Sequence, residues 1–582
     1  MNAGSPSIPG RASPTRSILW NIAGWMLVGL LILLEFSLFR RFLLREVVWA
    51  YPPNTDQLAY LQQSYETYEQ MKREGVVRAI ADSPAAPQGA LLQIEGALLY
   101  RVIGASRFNA LLVNFLHFAA LQCFLVWAVR GWSRWWCVAL IALGLLLTAL
   151  SPFYRAGGMS DFRMDFAALC LYGIFICLVV RSGMFARWGW CVAAGVAGAL
   201  LVGMRFICAA YLFGVFAAML ALFALVWWRN RTNPRGRIVL RQIVGWLIAA
   251  AVIGITTTPV LWSRRVAIHD YYIVGHITGA EKAVRAAETG TTHFWAALLY
   301  YPGVLIKFHA GLAFVVVAAV VLLSAAVIRI RSRTVPAPVS PSVDAHRIGD
   351  VFAFALACFA VPLVLLTLDV SKSPVVASIL IVPLVWLVVI GLVALDQPSG
   401  SNRTGARRKC FEVALAIFAI VCGVRTQLSA YKHDRLMSRR YTDVNNITLM
   451  SDLMAARAKS AGWESPMVFN GDTADYLYSQ VVKVLTYERH GYLLDIGDQF
   501  GTVTALPEPQ VFKLLAESDF VILTQRTAPA AAYEYPFDRE MARLHPALMA
   551  YCRQNLERIA EYDIFNRHVT LFMRRTGAKP VS

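Results

Sequence analysis

Apolar positions along this chain fall in long unbroken runs, unlike the alternating patterns of water-soluble elements. Runs of about 20 residues, enough for a helix to cross a bilayer, recur from Ser17 to Arg425 and then stop. They predict eleven crossings, at 17–39, 108–129, 134–152, 164–181, 188–205, 207–228, 239–260, 303–328, 350–368, 374–395 and 410–425. The first follows Arg11 and Arg16, is longer than a signal peptide's apolar stretch and lacks a small-residue cleavage site, so it reads as a retained anchor. After about residue 426 the pattern becomes polar and periodic. Short strands are predicted at Met467–Asn470, Phe520–Thr524, Glu561–Phe565 and Val569–Met573, with helices at 443–460, 473–481, 509–517 and 537–556. The expected fold class is a polytopic α-helical membrane protein of about eleven transmembrane helices (1–425) followed by a soluble α/β domain (426–582).

Composition supports the division. Of 582 residues 57% are hydrophobic and 16% charged, which excludes a cytosolic globular enzyme. The net charge of +19 suggests nucleic acid only until it is located. Residues 425–582 hold 19 Lys+Arg against 18 Asp+Glu, so the excess lies in the membrane part, between apolar runs. There it orients helices, and nucleic-acid binding is rejected because that needs a basic patch on a soluble domain. Nine of the ten cysteines fall in apolar runs and only Cys552 lies in the tail, without a CxxC pair, so neither a disulfide framework nor a structural metal pair is expected.

Five basic connections, Arg130–Arg134, Arg181–Arg187, Arg229–Arg241, Arg329–Arg333 and Arg403–Lys409, share one side, which is cytoplasmic by the positive-inside rule. Segments 40–107, 153–163, 261–302 and 369–373, and the tail, then face outward. Arg40, Arg41 and Arg45 stand against this orientation and are outweighed by the five later loops. The long first loop, 40–107, holds helical stretches Gln57–Ile80 and Gly89–Ile103, both expected to lie flat on the membrane.

Charge near a bilayer is costly and tends to mark a site. Three groups reach the outer face after odd-numbered crossings: Asp56 in Tyr51-Pro52-Pro53-Asn54-Thr55-Asp56, then Asp161, Arg163 and Asp165, then Lys372 in Ser371-Lys372-Ser373-Pro374. Asp161 and Asp165, four apart, are expected on one helical face. Each has a plain structural alternative: a turn or helix cap for Asp56, a cap of span four for Asp161 with Arg163 paired to either carboxylate, and a snorkelling span-end lysine for Lys372. Arg205 ends another span on the same face, and Arg264, Arg265, His269 and His276 lie in the 261–302 loop as substrate-contact candidates or ordinary loop polar groups.

The pattern resembles the GT-C superfamily of integral-membrane glycosyltransferases, in the branch of protein O-mannosyltransferases and lipid A aminoarabinose transferases. Met164-Asp165-Phe166-Ala167-Ala168 looks like the family's acidic opening of a helix, Leu299-Tyr300-Tyr301-Pro302-Gly303 like its Tyr-Tyr-Pro stretch, and Ser371–Pro374 running into Leu380-Ile381-Val382-Pro383-Leu384 like its basic residue before a Leu-Pro-rich span. The resemblance implies a catalytic carboxylate at Asp56, a second acidic residue at Asp161 or Asp165, and donor-phosphate contact at Lys372. Asp56 is followed by Gln57 where many members have an acidic pair, so no metal and no other cofactor is expected.

Glycosyl transfer from a polyprenyl phosphate needs a base for the acceptor hydroxyl and cations for the departing phosphate, which carboxylates and Lys or Arg supply. The expected function is transfer of a polyprenyl-phosphate-linked sugar to a lipid, glycan or protein acceptor of the envelope, at the outer face of an inner membrane with the tail extracytoplasmic. The alternatives are a transporter or flippase of a lipid-linked sugar, which would show repeats and midplane charges, and an inert scaffold whose tail binds a partner.

Overall fold

The computed structural model describes residues 14–48, 55–82, 88–130, 132, 135–278, 281–332, 343–369, 371–395, 402–433, 441–463, 466–471, 479–491, 506–526, 536–564 and 567–575. The chain enters through α1 (Pro14–Phe42), which continues in a π turn, Leu43–Val47. Three helices follow in the first long loop: α2 (Thr55–Glu74), α3 (Val76–Asp82) and α4 (Leu91–Ile103). The predicted helix 57–80 is broken at Gly75, whose φ of +87° suits glycine and strains other residues.

The membrane series continues with α5 (Arg107–Ala128), α6 (Trp135–Thr148), α7 (Met164–Arg181), α8 (Trp188–Met204), α9 (Cys208–Asn230) and α10 (Pro234–Ser263). A second long connecting segment carries α11 (Arg265–His269), a π-helical stretch Asp270–Thr278 and α12 (Glu281–Glu288). The next crossing joins α13 (Phe294–Val304) to α14 (Gly311–Ser332) through a π segment, and α15 (Val343–Leu368), α16 (Ile381–Leu395) and α17 (Asn402–His433) complete the set. Ten helical segments among the described residues are long and apolar enough to span a membrane, and the shorter apolar α8 takes the eleventh predicted place. The protein is a multi-pass membrane protein. Helix α7 forms its centre, with Met164 to Val180 all buried.

The tail contains α18 (Tyr441–Ser460), β1 (Val468–Asn470), α19 (Ser479–His490), α20 (Glu508–Glu517), β2 (Phe520–Arg526), α21 (Pro536–Asn555), β3 (Leu556–Asp563) and β4 (Arg567–Arg574). Its sheet has the order β1-β2-β4-β3, with β1 parallel to β2 and the other pairs antiparallel. The strand predicted at Glu561–Phe565 begins five residues earlier, at Leu556. As an edge strand carrying Glu557, Arg558 and Glu561 it lacks the apolar alternation that reveals central strands. The helix predicted at 473–481 falls partly outside the described residues, and the observed α19 runs from Ser479 to His490.

The Arg181 guanidinium donates to the Arg130 carbonyl, joining two basic loops at one end. At the other end α2 packs against α4 and α19. Leu58, Leu61, Ser64 and Tyr65 are buried, so α2 is enclosed between the first loop and the tail and does not lie on lipid. Helix α4 keeps an apolar face outward, with Val102 80% exposed. Arg45, one of the cations against the orientation, is engaged locally by Glu46 at 2.6 Å and the Tyr431 carbonyl at 3.3 Å. A reporter fused after Ser582 is expected to be active only in an extracytoplasmic assay; activity in the cytoplasm would reverse the assignment of both faces.

A carboxyl is buried inside the membrane series: Glu35 lies within the first crossing, 3% exposed, where it accepts a 2.5 Å bond from Gln122. The carboxyl faces a neighbouring helix amide, which satisfies one of its oxygens.

Candidate active site

Two carboxylates stand in the first turns of helices, Asp56 in α2 and Asp165 in α7, where the helix dipole favours negative charge. Two guanidiniums come from helix boundaries: Arg163, the extended residue before α7, and Arg205, the extended residue that ends α8. Arg163 bridges the carboxylates, with Nη2 at 2.6 Å from Asp56 Oδ2 and Nε at 3.6 Å from Asp165 Oδ2. Arg205 Nη1 pairs with Asp165 Oδ1. The result is a four-residue chain, Asp56–Arg163–Asp165–Arg205, that starts at solvent and is most enclosed at Asp165: the Asp56 side chain is 50% exposed, that of Asp165 2% and that of Arg205 14%.

The backbone makes this arrangement rigid. Segment 154–163 folds back on itself, the Met159 N–H donating to the Pro152 carbonyl at 2.8 Å and Asn114 Nδ2 to the Asp161 carbonyl at 2.8 Å. Gly157, at φ +88°, packs where a Cβ would lie 2.4 Å from Val375 and 3.3 Å from the Asp165 Cβ, so glycine is required for both conformation and space. The first loop is stitched to the α8–α9 junction by Phe206 N–H to the Gln88 carbonyl (2.7 Å) and Ala90 N–H to the Gly203 carbonyl (2.9 Å).

Burial opposes the charges on Arg163 and Arg205, but their carboxylate neighbours, Asp56 first for Arg163 and Asp165 for Arg205, outweigh it and raise both pKa values. Tyr60, enclosed beside the cluster, is pushed well up by burial and by the Asp56 charge. Tyr271 and Tyr272 close the other flank: burial raises both, Tyr271 is hydrogen-bonded to Gln88, and the Arg205 charge acts on each in the opposite sense.

Asp161 and Asp165 do not share a helical face as their spacing suggested. Helix α7 starts at Met164, so Asp161 lies in the preceding turn, 1% exposed, its Oδ2 accepting the Gly157 N–H at 2.5 Å. Burial, only partly offset by Arg163, raises its pKa from 3.8 to about 7. The fold therefore prefers the neutral carboxyl, and the stability it contributes is complete below about pH 4 and lost as pH rises to about 7. Asp161→Asn mimics the neutral form. Relative to wild type it is expected to gain about 3 kcal/mol from pH 5 to pH 8, measured as unfolding of detergent-purified protein; a constant difference would mean the wild-type group stays ionised.

Lys372 is close by but engaged. It is 3% exposed, and its Nζ donates to the carbonyls of Leu366 (3.0 Å), Thr367 (2.6 Å) and Asp369 (2.5 Å), closing the end of α15. Its ammonium also lies 5.3 Å from the Tyr301 ring centre, and the Tyr301 hydroxyl accepts the Ser373 N–H at 3.3 Å. Arg265 is exposed and held against the end of the preceding helix α10, donating to the Trp262 carbonyl at 2.9 Å and lying 4.8 Å from that ring's centre. Arg264 is half-buried at the end of α10. His269 is exposed beside Asp270. The side chain of His276 lies outside the described residues.

Two crystal structures share this architecture. ArnT from Cupriavidus metallidurans bound to undecaprenyl phosphate aligns over 94% of this chain and 98% of its own, with TM-score 0.55 and 14% identity. The same protein in the apo state aligns over 95% and 98%, with TM-score 0.54 and 14% identity. The chain has the ArnT fold. No family's sequence profile matches it, and no curated protein sequence does. The shared fold bears out the expected polytopic helical architecture followed by a small α/β tail.

Within this ArnT fold the sequence-selected residues Asp56, Arg163, Asp165 and Arg205 are brought into one contact chain, while Asp161 braces its loop and Lys372 closes a helix. Tyr60, Tyr271, Tyr272 and Gln88 escaped selection at the site. Among the described residues no group of three His, Cys, Asp or Glu side chains is placed to hold a metal ion.

Proposed function

We propose that the protein is a glycosyltransferase that moves a sugar from a polyprenyl-phosphate donor to a lipid, glycan or protein acceptor of the cell envelope, on the outer face of an inner membrane that the tail also faces. The observation that carries this reading is the Asp56–Arg163–Asp165–Arg205 chain, assembled at one membrane face in a fold whose ArnT representative was crystallised with undecaprenyl phosphate.

The geometry suggests a division of labour. Asp56 is the half-exposed carboxylate and takes the acceptor hydroxyl's proton. As the acceptor oxygen bonds to the anomeric carbon, the bond from that carbon to the phosphate oxygen breaks, and the polyprenyl phosphate leaves with the electron pair. Arg163 faces Asp56 and gains a second anion when the donor arrives; moving its Nη2 from the carboxylate to a phosphate oxygen frees Asp56 as a base. Arg205, held charged by Asp165, adds a positive field to the leaving group. Asp165 keeps both guanidiniums oriented before the donor binds, which lowers the reorganisation required during the reaction. The long apolar spans keep the polyprenyl tail in lipid while its phosphate reaches the outer surface.

Mass analysis of envelope glycans and lipid A, with and without the gene, tests the reading: a sugar lost from one acceptor supports it, and unchanged profiles with normal expression overturn it. For Lys372 the fold argues structure first. Lys372→Ala removes a charged donor from three carbonyls and is expected to cost about 3 kcal/mol of stability, with undecaprenyl phosphate affinity unchanged. Unchanged unfolding with lost undecaprenyl phosphate binding would return Lys372 to the phosphate.

A further inference from the structure

Helix α2, which carries Asp56 at its start, is fastened near its middle by the tail. Glu488 of α19 accepts Arg107 Nη2 at 2.6 Å and Nε at 3.2 Å, a forked pair whose arginine is 1% exposed and whose third nitrogen donates to the Val47 carbonyl at 3.3 Å. The Tyr65 hydroxyl of α2 donates to the same carboxylate at 2.8 Å. Around this knot the Tyr65 and Tyr487 rings stack at 4.6 Å, the Tyr487 hydroxyl donates to Glu69 at 2.5 Å, and Lys483 pairs with Glu66 at 2.9 Å. One carboxylate of the tail thus ties together α2, the start of α5 and the end of the first crossing.

We propose that Glu488 is a positioning residue for Asp56, and that the C-terminal domain thereby forms part of the active-site scaffold. Tyr65 lies nine residues after Asp56, about 13 Å along the helix axis, so an α2 free to tilt at Tyr65 would carry Asp56 away from Arg163. Reaction rates fall about 100-fold for a misplacement of 1 Å. Helix α4 holds the same region from another side, through Ser64 and Tyr100 (3.0 Å) and the Tyr100 ring against Tyr65 and Tyr68 (5.5 and 5.8 Å), but these contacts are uncharged. Arg107 provides a reason for the tail to be present: without Glu488 its buried guanidinium would lose its forked anion. This role rests on the reading of Asp56 as the base for glycosyl transfer.

The test uses the full-length protein in nanodiscs, with undecaprenyl phosphate as the binding probe and the gene-dependent envelope glycan as the product. Glu488→Ala is expected to raise amide exchange of residues 59–74 about 10-fold or more while α7 stays protected. Product should fall about 10-fold to 100-fold, and undecaprenyl phosphate affinity should stay within about twofold of wild type because Arg163 and Arg205 are untouched. Glu488→Gln keeps an acceptor for Tyr65 and is expected to recover part of both losses. If Glu488→Ala does not fold, Lys483→Ala and Tyr487→Phe, each removing one flanking contact, should move exchange and product in the same direction by smaller amounts. Loosened α2 with full product, or lost product with α2 still protected, overturns the positioning role and leaves the transferase reading standing. A wild-type chain with no glycan product overturns that reading and this role together.

Discussion

Asp56→Asn is expected to lower product formation by about 10² to 10⁴, the usual contribution of a general base, with little change in expression, insertion or unfolding temperature. The selectivity follows from position. Asp56 is half exposed, and Arg163 retains Asp165 at 3.6 Å when the Asp56 charge is removed. Asparagine preserves shape and one acceptor oxygen but does not take a proton at neutral pH. Undecaprenyl phosphate affinity should hold or rise, because Arg163 loses a competing anion. Full product from Asp56→Asn, measured beside wild type at matched expression, would remove Asp56 as the base and require the proton acceptor to be sought elsewhere on this face.

Asp165→Ala should have the opposite signature, a stability defect first. Asp165 is 2% exposed and is the shared anion between Arg163 and Arg205, so removing it leaves two enclosed guanidiniums with reduced compensation. Breaking a buried pair in this way costs about 3–5 kcal/mol, read as a large fall in unfolding temperature in detergent. Asp165→Asn fills the volume and retains one acceptor, so it should lose less stability. It should still depress product, because Arg205 is no longer fixed. An Asp165→Ala protein as stable as wild type would show that the guanidiniums find other anions, and the four-residue chain would lose its centre.

The two variants separate roles that looked alike in the sequence. Asp161 and Asp165 are both acidic residues close to one span, and nothing local distinguishes them. The difference lies four residues apart in backbone geometry: Asp161 turns into its own loop to accept the Gly157 N–H, whereas Asp165 opens a helix and meets Arg205, which is 40 positions away. Lys372 illustrates the converse case. Its sequence neighbourhood suggested an ammonium aimed at a phosphate, but a helix end just before it presents three carbonyls within reach. Tyr60, Tyr271 and Tyr272 were hidden among aromatic residues that membrane proteins place at interfaces in any case.

The succession of long apolar helices and the change to a polar α/β tail were determined by the sequence alone, because lipid requires long apolar runs of each segment that crosses it. Placement of Asp56, Arg163, Asp165 and Arg205 on a common face followed from counting those crossings. Only the tertiary structure decided which of these charges touch, which carboxyl is enclosed with its pKa raised by burial, and that the tail grips α2 through Glu488. The reason is physical. Crossing a membrane is imposed on each segment separately by its own composition, whereas an ion pair between residues 107 and 488 depends on how eleven helices and a soluble domain pack, and no short stretch of sequence contains that information.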